Sequence, residues 1–545
     1  MRTLSLLPAL LLARLAAPAQ VIDQNAETAL GATKPAAFEA HVRYLADDRL
    51  RGRLPGTPGY QLAVDYVVQQ LRATGVEPAG EHGGYTQRVR LRRAFVEAGA
   101  ALSLQPAAGA AQLLALGTEA ALYPNPGQAE VRVENAPLAF VGYGISAPEL
   151  KYDDYAGLAV KGKVVVVTRQ APRQFGDNER QYFSDVRTVL ETAARHGAVG
   201  VLLALPRPDT HLPDFAKGVV SALGPDGKVA VSRSYAAGSA QLVGSISAAT
   251  LQQLFAGATQ DTAQAMSSLR AGRPASQALP GRLSAQYRSR YQDFDSYNVV
   301  GKLEGADPLL RDTYVVHSAH LDHLGVGAPV EGDSIYNGAH DNATGVASVL
   351  EISKMYAKLR PRPRRSILFL FVTGEELGLL GSAYFARFPT VPPVALVADV
   401  NTDMPTIIAP LLSVVPLGAD HSSLLAPVQV AARYLKLSIE PDPEPTQNRF
   451  IRSDQYSFVV RGVPALHIKY GNRTADGQNN LATTVQAWRA RTYHKPQDNY
   501  VGGTFDWPAG VKYAQLNFLI GYLVAQNPVL PTWNKGDFFG GRFGR

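Results

Sequence analysis

The chain has 545 residues, of which 46% are hydrophobic and 18% are charged, and its formal net charge is +7. This length exceeds what one hydrophobic core usually serves, so we expect two or three domains. The basic residues are scattered rather than clustered, which argues against a nucleic-acid partner. The chain has no cysteine, which excludes disulfides, thiolate metal ligands and a cysteine nucleophile. Any metal must therefore be held by histidines and carboxylates.

The N-terminal segment "MRTLSLLPALLLARLAAPAQ" has a basic start, a leucine-rich run and a small-residue cleavage signal, Ala17-Pro18-Ala19. This pattern predicts a signal peptide over residues 1–19 and a secreted or periplasmic mature chain that begins near Gln20. Arg14 interrupts the apolar run, so a short buried helix is the alternative. No later segment offers about 18 uninterrupted apolar residues, and we expect no membrane span.

The next unit of the chain covers residues 20–119. Residues 36–75 carry two helical patterns, which are separated by the glycine- and proline-rich loop "RGRLPGTPGY". The segment "YTQRVRL", residues 85–91, alternates in polarity like a strand.

Residues 120–280 differ in pattern from the unit before them. They consist of short β-rich runs separated by turns, with one helix-like piece, "VLETAARHGAVGVLLAL". Residues 255–290, rich in Ala, Gln and Ser, show little pattern and are predicted to be the segment through which the chain leaves this module. This texture predicts a small α/β module inserted into a larger domain.

From residue 281 to 530 the pattern becomes strand, loop and helix, repeated. Four nearly continuous apolar runs suit strands buried on both faces: "TYVVHSA" (313–319), "SILFLFV" (366–372), "VALVADV" (394–400) and "PALHIKY" (464–470). Helical spacing in "GVASVLEISKMYAKL" separates the first two. We predict an α/β fold with a doubly wound, mostly parallel sheet. The glycine-rich tail, residues 531–545, is predicted to be loose.

Polar side chains follow the predicted strands, at the sheet edge where open α/β folds bind ligands. They are His320, Asp322, Asp341, Glu375, Glu376 and Asp403, together with His494 in a late loop. Taken singly, each is more simply explained as a loop histidine or a helix cap. We predict structural roles for the nearby His317, His323, His340 and His467, and for Asp399, which falls within a strand.

Several strand ends that each offer an imidazole or a carboxylate predict a metal centre. Two imidazoles and three carboxylates, one of them shared, would give two zinc ions three ligands each and leave room for a bridging water. Asp322 lies two residues from His320 and suits a carboxylate that orients that imidazole. The remaining glutamate is then free to act as a base.

The motifs "AHLDHLG", "GAHDNATG", "GEELGLLGS", "NTDM", "RSDQYSF" and "YHKPQD" occur in that order. With them the chain resembles secreted bacterial di-zinc metallopeptidases of the twenty-eighth metallopeptidase family, which contains aminopeptidases and glutamate carboxypeptidase-like enzymes. The resemblance covers most of residues 36–525. Residues 120–280 resemble a protease-associated domain inserted into the catalytic domain.

The resemblance implies a role for each candidate residue. Asp341 would bridge two zinc ions. His320 and Asp403 would complete one zinc site, and Glu376 and His494 the other. Glu375 would be the general base, with Asp322 as a further catalytic residue. The implied activity is that of a zinc-dependent exopeptidase, with an aminopeptidase favoured over a carboxypeptidase or dipeptidase.

Two positions depart from the family pattern. Gln455 stands where the family commonly has histidine, and Phe450 stands where some members have tyrosine. Neither is a metal ligand, so we expect zinc binding to survive. Two other functions stay open: a single-zinc glutaminyl cyclase on the same scaffold, and a metal-free binding protein. Retention of all the ligand positions argues against the second.

Overall fold

The structure is a computed structural model that describes residues 21–205, 207, 210–447 and 449–545. The predicted signal peptide lies outside these residues. The α-helices of the described part are α1 (Gln24–Ala29), α2 (Pro35–Leu45), α3 (Pro58–Ala73), α4 (Asp177–Ser184), α5 (Val186–Arg195), α6 (Ala248–Leu254), α7 (Thr262–Arg270), α8 (Thr344–Lys358), α9 (Leu380–Arg387), α10 (Leu425–Tyr434), α11 (Gln455–Val459), α12 (Leu481–Thr492), α13 (Trp507–Gln526) and α14 (Phe538–Phe543).

The β-strands of the same part form one connected set of 18 strands, which consists of two sheets that share β14, together with two short antiparallel pairs. They are β1 (Glu77–Pro78), β2 (Thr86–Val96), β3 (Ala101–Gln105), β4 (Gln112–Leu113), β5 (Ala120–Leu122), β6 (Glu130–Phe140), β7 (Ser146–Ala147), β8 (Tyr152–Asp153), β9 (Val164–Thr168), β10 (Gly200–Ala204), β11 (Val219–Leu223), β12 (Val229–Val231), β13 (Leu242–Ile246), β14 (Gln277–Leu303), β15 (Tyr314–His320), β16 (Gly325–Val330), β17 (Asp333–Tyr336), β18 (Ser366–Val372), β19 (Leu396–Asn401), β20 (Ser413–Leu417), β21 (Ser438–Ile439) and β22 (Ala465–Tyr470).

The first sheet has a parallel centre in the order β18, β15, β19, β22. Antiparallel strands extend it on both sides, with β14, β2 and β11 beyond β18 and with β20 beyond β22. Every residue of β18 is buried, as expected for a strand covered on both faces. The protein is therefore a mixed α/β fold with a large, mostly parallel central sheet, which confirms the predicted fold class.

The second sheet has the order β4, β3, β14, β6, β9, β10, β13, β5. Strand β14 belongs to both sheets: its Arg288 pairs with Glu130 of β6, and the next residue, Ser289, pairs with Val96 of β2. Strands β11 and β12 come from the chain between β10 and β13, but they extend the first sheet. The two sheets are thus joined by one continuous strand.

Three local predictions were wrong. Residues 189–205 are not one helical piece, because α5 ends at Arg195 and β10 begins at Gly200. Gly197, with φ +80°, makes the left-handed turn between them. Residues 255–290 hold α7 and the start of β14 rather than a patternless exit. The tail forms α14, whose Phe539 is fully buried, so apolar packing outweighs its glycine content.

The 20-residue helix α13 is the longest described helix. Within the parts of the chain that the structure describes, no helix combines the length and the apolar character needed to cross a membrane.

Candidate metal centre

The candidate residues lie at the carboxyl ends of the parallel strands. His320 ends β15, Glu375 and Glu376 follow β18, and Asp403 follows β19. Asp341 lies in the turn Ala339–Ala343, which leads into α8, and His494 follows α12. Parallel strands end at one edge of a sheet, so side chains distant in sequence converge there.

Asp341 is at the centre of this group and is 3% exposed. Its Oδ1 lies 3.3 Å from His320 Nε2, and its Oδ2 lies 3.3 Å from His494 Nε2. On one side, His320 Nε2 is also 3.7 Å from Asp403 Oδ1. On the other, His494 Nε2 is 3.3 Å from Glu376 Oε2. The two oxygens of one carboxylate thus face two separate sets of side chains.

The protonation of the histidines reflects this acidic surrounding. Burial alone would lower the pKa of His320, but contacts with Asp341 and Asp403 outweigh it and raise the pKa well above its usual value. Burial also lowers the pKa of His494, but contacts with Asp341 and Glu376 outweigh burial and raise this pKa to about 10. Imidazoles held between carboxylates are typical of metal sites, where a cation binds both the imidazole nitrogen and the carboxylate oxygen.

Glu375 and Glu376 differ in their electrostatic environment. Burial raises the pKa of the Glu375 carboxyl well above its usual value, and Glu376 adds to the rise. Burial also acts on Glu376, but hydrogen bonds with His323 and His494 outweigh it and lower the pKa. A carboxyl with a raised pKa suits a proton acceptor, whereas a neighbouring carboxyl with a lowered pKa stays ionised and suits a metal ligand.

Asp322 supports the site differently from the sequence prediction. Its carboxylate oxygen lies 4.0 Å from His320 Nδ1, which instead faces the Asp322 carbonyl oxygen at 3.1 Å. The carboxylate accepts hydrogen bonds from the backbone N–H groups of Glu375, at 3.1 Å, and of Glu376, at 3.4 Å. Asp322 therefore orients the backbone of both glutamates as well as the histidine before it.

His323 and His467, for which the sequence suggested structural roles, both lie at the site. His323 is fully buried, and its Nδ1 is 2.8 Å from Glu376 Oε1. His467 Nε2 is 2.9 Å from the carbonyl oxygen of Asp403. In the sequence His323 directly follows Asp322, three residues after β15 ends, and His467 lies inside β22. Neither position distinguishes a site residue from a core residue.

Two other buried residues hold the site loops in place. Arg53, 1% exposed, donates hydrogen bonds to the carbonyl oxygens of Leu321, Asn337 and Gly338 at 2.9, 2.6 and 3.0 Å. The Asp498 carboxylate accepts hydrogen bonds from the backbone N–H groups of His340 and Asp341, at 2.9 and 3.0 Å. Sequence reasoning missed both, because each acts on backbone groups far away in the chain.

The two residues that depart from the family pattern do not line the pocket above the candidate ligands. Gln455 accepts a hydrogen bond from Asn401 Nδ2 at 2.8 Å. Phe450 packs against His421 and Phe539. Ser453, rather than either of these, lines the pocket above the candidate ligands.

The donors fit zinc, which prefers imidazole nitrogen and carboxylate oxygen when thiolates are absent. Two sets of three side chains each bring one ligand atom within 4.8 Å of the others: His320, Asp341 and Asp403, and His323, Asp341 and Glu376. Asp341 is common to both sets. His323 therefore competes with His494 for the second set.

Comparisons with known proteins bear on this centre. Residues 298–516 match the model of "Peptidase family M28". A "Vacuolar membrane protease" of Saccharomyces cerevisiae is 39% identical over 98 residues, which are 18% of this chain and 9% of that protein. A "Probable zinc metalloprotease" of Pyrenophora teres f. teres is 36% identical over 107 residues, 19% of this chain and 22% of that protein. The chain therefore spans only a small part of these curated relatives.

Among solved structures, an "Aminopeptidase from Aneurinibacillus sp. strain AM-1" aligns with 93% of this chain and 97% of its own, at 18% identity and a TM-score of 0.50. At this identity the likeness supports the fold. The family match agrees with the enzyme class predicted from the sequence, a zinc metallopeptidase.

The relatives contradict the predicted location. The yeast relatives are vacuolar membrane proteases by name, a location that differs from the secreted or periplasmic one predicted from the sequence. The prediction depended on residues 1–19, which lie outside the described residues. An apolar leader with a basic start directs a chain to a membrane but does not specify the final compartment. The secreted or periplasmic prediction was therefore wrong.

Proposed function

Because residues 298–516 match the model of peptidase family M28, we propose that the chain hydrolyses peptide bonds at a centre of two zinc ions. The observation that carries this proposal is the position of Asp341, whose two carboxylate oxygens each lie 3.3 Å from a different histidine. Such a carboxylate suits a bridge between two cations. His320 and Asp403 would hold one ion, and Glu376 and His494 the other.

The protein's own groups would carry the proton transfers. Zinc bound here would supply Lewis acidity, lowering the pKa of water and polarising the scissile carbonyl. A Glu375 carboxylate oxygen would accept a proton from the attacking water and return it to the leaving amine. Glu375 suits this role because burial raises the pKa of its carboxyl, which strengthens it as a base. Asp322 would keep Glu375 in place through its backbone N–H.

For the second ion we propose His494 rather than His323. His494 Nε2 contacts Asp341 and Glu376 at once, whereas His323 contacts only the other oxygen of Glu376. His323 would then orient the Glu376 carboxylate. We expect His494→Gln to retain about one zinc ion per chain and His323→Gln to retain two with weaker affinity, since outer partners tune affinity by about 10- to 100-fold. Zinc content after dialysis measures this, and a reversed result would exchange the two roles.

We propose an exopeptidase, and among exopeptidases an aminopeptidase. The pocket over the candidate ligands is small, about 80 Å³, and suits the end of a chain better than its middle. One solved structure of the same fold is an aminopeptidase by name. A carboxypeptidase or dipeptidase is the second candidate, because basic side chains line the same pocket.

A panel of peptides, free or blocked at either end, tests this proposal with the zinc-loaded protein. We expect cleavage that a chelator abolishes and that zinc restores. Loss of cleavage on blocking the amino end alone would support an aminopeptidase, and loss on blocking the carboxyl end alone a carboxypeptidase. If the folded, zinc-loaded protein instead cyclised N-terminal glutamine with one zinc per chain, it would be an acyltransferase.

The division into domains also belongs to this proposal. Residues 20–119 and 281–530 would form the catalytic domain, and residues 120–280 the protease-associated insert, which supplies no zinc ligand and limits access to the site. Its helix α4 approaches the catalytic part, where Asn178 Nδ2 lies 3.3 Å from His421 Nε2. A cavity of about 430 Å³ lies at this contact. Arg449 lines both this cavity and the zinc pocket.

A further inference from the structure

The pocket at the candidate zinc centre is unusually rich in basic side chains. Four of them line it: Arg449, Arg452, Lys469 and Arg489. The carboxylates among the described lining residues are those to which ligand and base roles have been proposed: Asp341, Glu375, Glu376 and Asp403. No further acidic side chain of this described lining is free to receive a substrate's amino group. Zinc ions would make the pocket more positive still.

The basic side chains differ in whether their charge is already matched. Arg449 forms ion pairs with Asp442 and with Glu444. Lys469 is buried, and its Nζ donates to the carbonyl oxygen of Asp403 at 2.7 Å. These two therefore mainly support the walls of the pocket. Arg452 and Arg489 form no ion pair with any side chain in the described ranges.

Arg489 is the better placed of the two unpaired arginines. Its guanidinium carbon lies 3.9 Å from the centre of the Tyr493 ring, and that ring stacks on the His494 imidazole at 3.8 Å between centroids. Its Nη1 is 3.9 Å from the sulfur of Met404, the residue after Asp403. Half-buried on α12, Arg489 thus stands beside both proposed zinc sites, in a position fixed by stacking.

We propose that Arg489 binds a carboxylate of the substrate and makes the enzyme select substrates that carry negative charge near the scissile bond. A planar guanidinium can donate two parallel hydrogen bonds to a carboxylate. The unmatched charge in a half-buried pocket gives that interaction more weight than it has in water. The carboxylate comes either from an acidic side chain or from a free carboxyl terminus. This inference rests on the proposed peptidase function.

Matched dipeptides separate the two sources. The reference is leucyl-asparagine amide, which is neutral beyond its amino group. One test substrate is the same dipeptide with a free terminal carboxylate instead of the amide. Another has aspartate in place of asparagine and keeps the terminal amide. A third pair compares aspartyl-leucine amide with asparaginyl-leucine amide. We expect the parent enzyme to favour at least one carboxylate substrate over its neutral partner by about 10- to 100-fold in kcat/KM, the range of a charge-assisted pair.

Arg489→Gln is the test variant, and Arg491→Gln is the matched control, because Arg491 is exposed on the same helix and does not line the pocket. We expect the acid-to-neutral ratio of kcat/KM to fall by at least about 10-fold in Arg489→Gln and to stay unchanged in Arg491→Gln. Arg489→Lys should restore only part of the ratio, because lysine keeps the charge but cannot donate two parallel hydrogen bonds to a carboxylate. Equal ratios in all variants, or no preference in the parent, would overturn the proposal.

A binding measurement separates failure of this inference from failure of the proposed function. Glutarate and the neutral glutaramide are titrated calorimetrically into the zinc-loaded parent and variants, with zinc content and thermal unfolding checked for each. We expect glutarate to bind at least about 10-fold more weakly to Arg489→Gln than to Arg491→Gln. If peptides are cleaved but glutarate binds both variants equally, only the inference fails. If no peptide is cleaved while glutarate discriminates between them, the peptidase proposal fails and the carboxylate site stands.

Discussion

Glu375 and Glu376 are neighbours in the chain but have different surroundings. The Glu376 carboxylate lies within 3.3 Å of His494, whereas burial among other acids raises the pKa of Glu375. We expect Glu375→Gln to reduce turnover by at least about 10²-fold and to keep both zinc ions, because the change removes the base and preserves the shape. Glu376→Ala should lose one zinc ion, because a site with three protein ligands depends on each.

Activity and zinc content, measured together on both variants and on the parent, check this prediction. Loss of metal in Glu375→Gln with two ions retained in Glu376→Ala would exchange the two assignments. Unchanged activity in both would contradict the peptidase proposal itself.

At the residue scale, sequence reasoning could bring together side chains that follow strands, since strand ends of a parallel sheet meet. His320 and Asp403 lie together for that reason, and Asp341 joins them from the turn before α8. Spacing alone could not rank His323 against His494, because both lie in loops and the loop conformation decides which of them contacts Asp341; only the family resemblance favoured His494. The Asp498 carboxylate, which accepts a hydrogen bond from the backbone N–H of Asp341, could not be predicted either. A hydrogen bond between residues 157 positions apart leaves no local sequence pattern.

The loop that contains Arg53 joins the N-terminal helices to the metal centre. Arg53 donates to carbonyl oxygens of both loops that carry candidate ligands, at Leu321 and at Gly338. We expect Arg53→Met to lower the free energy of unfolding by at least about 3 kcal/mol, since it leaves several buried carbonyls without donors. Zinc affinity should fall as well. Denaturant unfolding and zinc titration measure both effects.

Arg51→Met is the control for this change, because Arg51 lies in the same loop and is exposed. A similar loss of stability in both variants would mean that the loop, rather than the buried guanidinium, determines the effect.

In the second sheet, the loop between β6 and β9 surrounds a buried carboxyl, Asp154. It accepts hydrogen bonds from the backbone N–H groups of Tyr143 and Ile145 and from the Tyr152 hydroxyl, at 3.0, 3.2 and 3.0 Å. Burial nevertheless raises the pKa of Asp154 from 3.8 to about 7. Between these values the folded state binds more protons than the unfolded state, so the stability from this group falls as the pH rises.

We therefore expect the parent to lose up to about 3 kcal/mol more stability than Asp154→Asn when the pH rises from 5 to 7. Asparagine cannot ionise, so the variant lacks this contribution at every pH. Thermal unfolding across the pH range measures the difference, with Asp153→Asn as a control that keeps the buried carboxyl. Parallel pH profiles of parent and Asp154→Asn would contradict the assignment.

At the element scale, the strands buried on both faces were predictable from their apolar runs. Residues 366–372 were predicted as a strand and form β18. By contrast, β14 alternates in burial over much of its 27 residues, and its Ala, Gln and Ser content hid that alternation. Its pairing partners come from both sheets, so tertiary pairing rather than local propensity decides its conformation.

At the scale of the whole molecule, β14 decides how the two sheets respond to unfolding. It passes from the second sheet to the first between Arg288 and Ser289 without a linker, and β11 returns from the insert to pair with β2. Loss of the second sheet would therefore remove pairing partners from the first. We infer that the two sheets unfold in one cooperative transition despite their separate cores.

Leu202→Ala tests this coupling, because Leu202 is fully buried in β10, within the second sheet. Such a cavity costs about 2–5 kcal/mol. The three tryptophans, Trp488, Trp507 and Trp533, all lie outside residues 120–280, so their fluorescence reports on the catalytic part. We expect fluorescence and circular dichroism to shift together to a lower denaturant midpoint.

Leu113→Ala, on the exposed strand β4 of the same sheet, should leave both midpoints unchanged, since Leu113 is 73% exposed. A fluorescence midpoint that stays at the parent value in Leu202→Ala, while circular dichroism shows an earlier transition, would mean that the insert unfolds alone. In that case β14 would fray at Ser289, and the second sheet could open without disturbing the zinc ligands. A shared transition would instead tie the stability of the metal centre to packing in a sheet that supplies none of its proposed ligands.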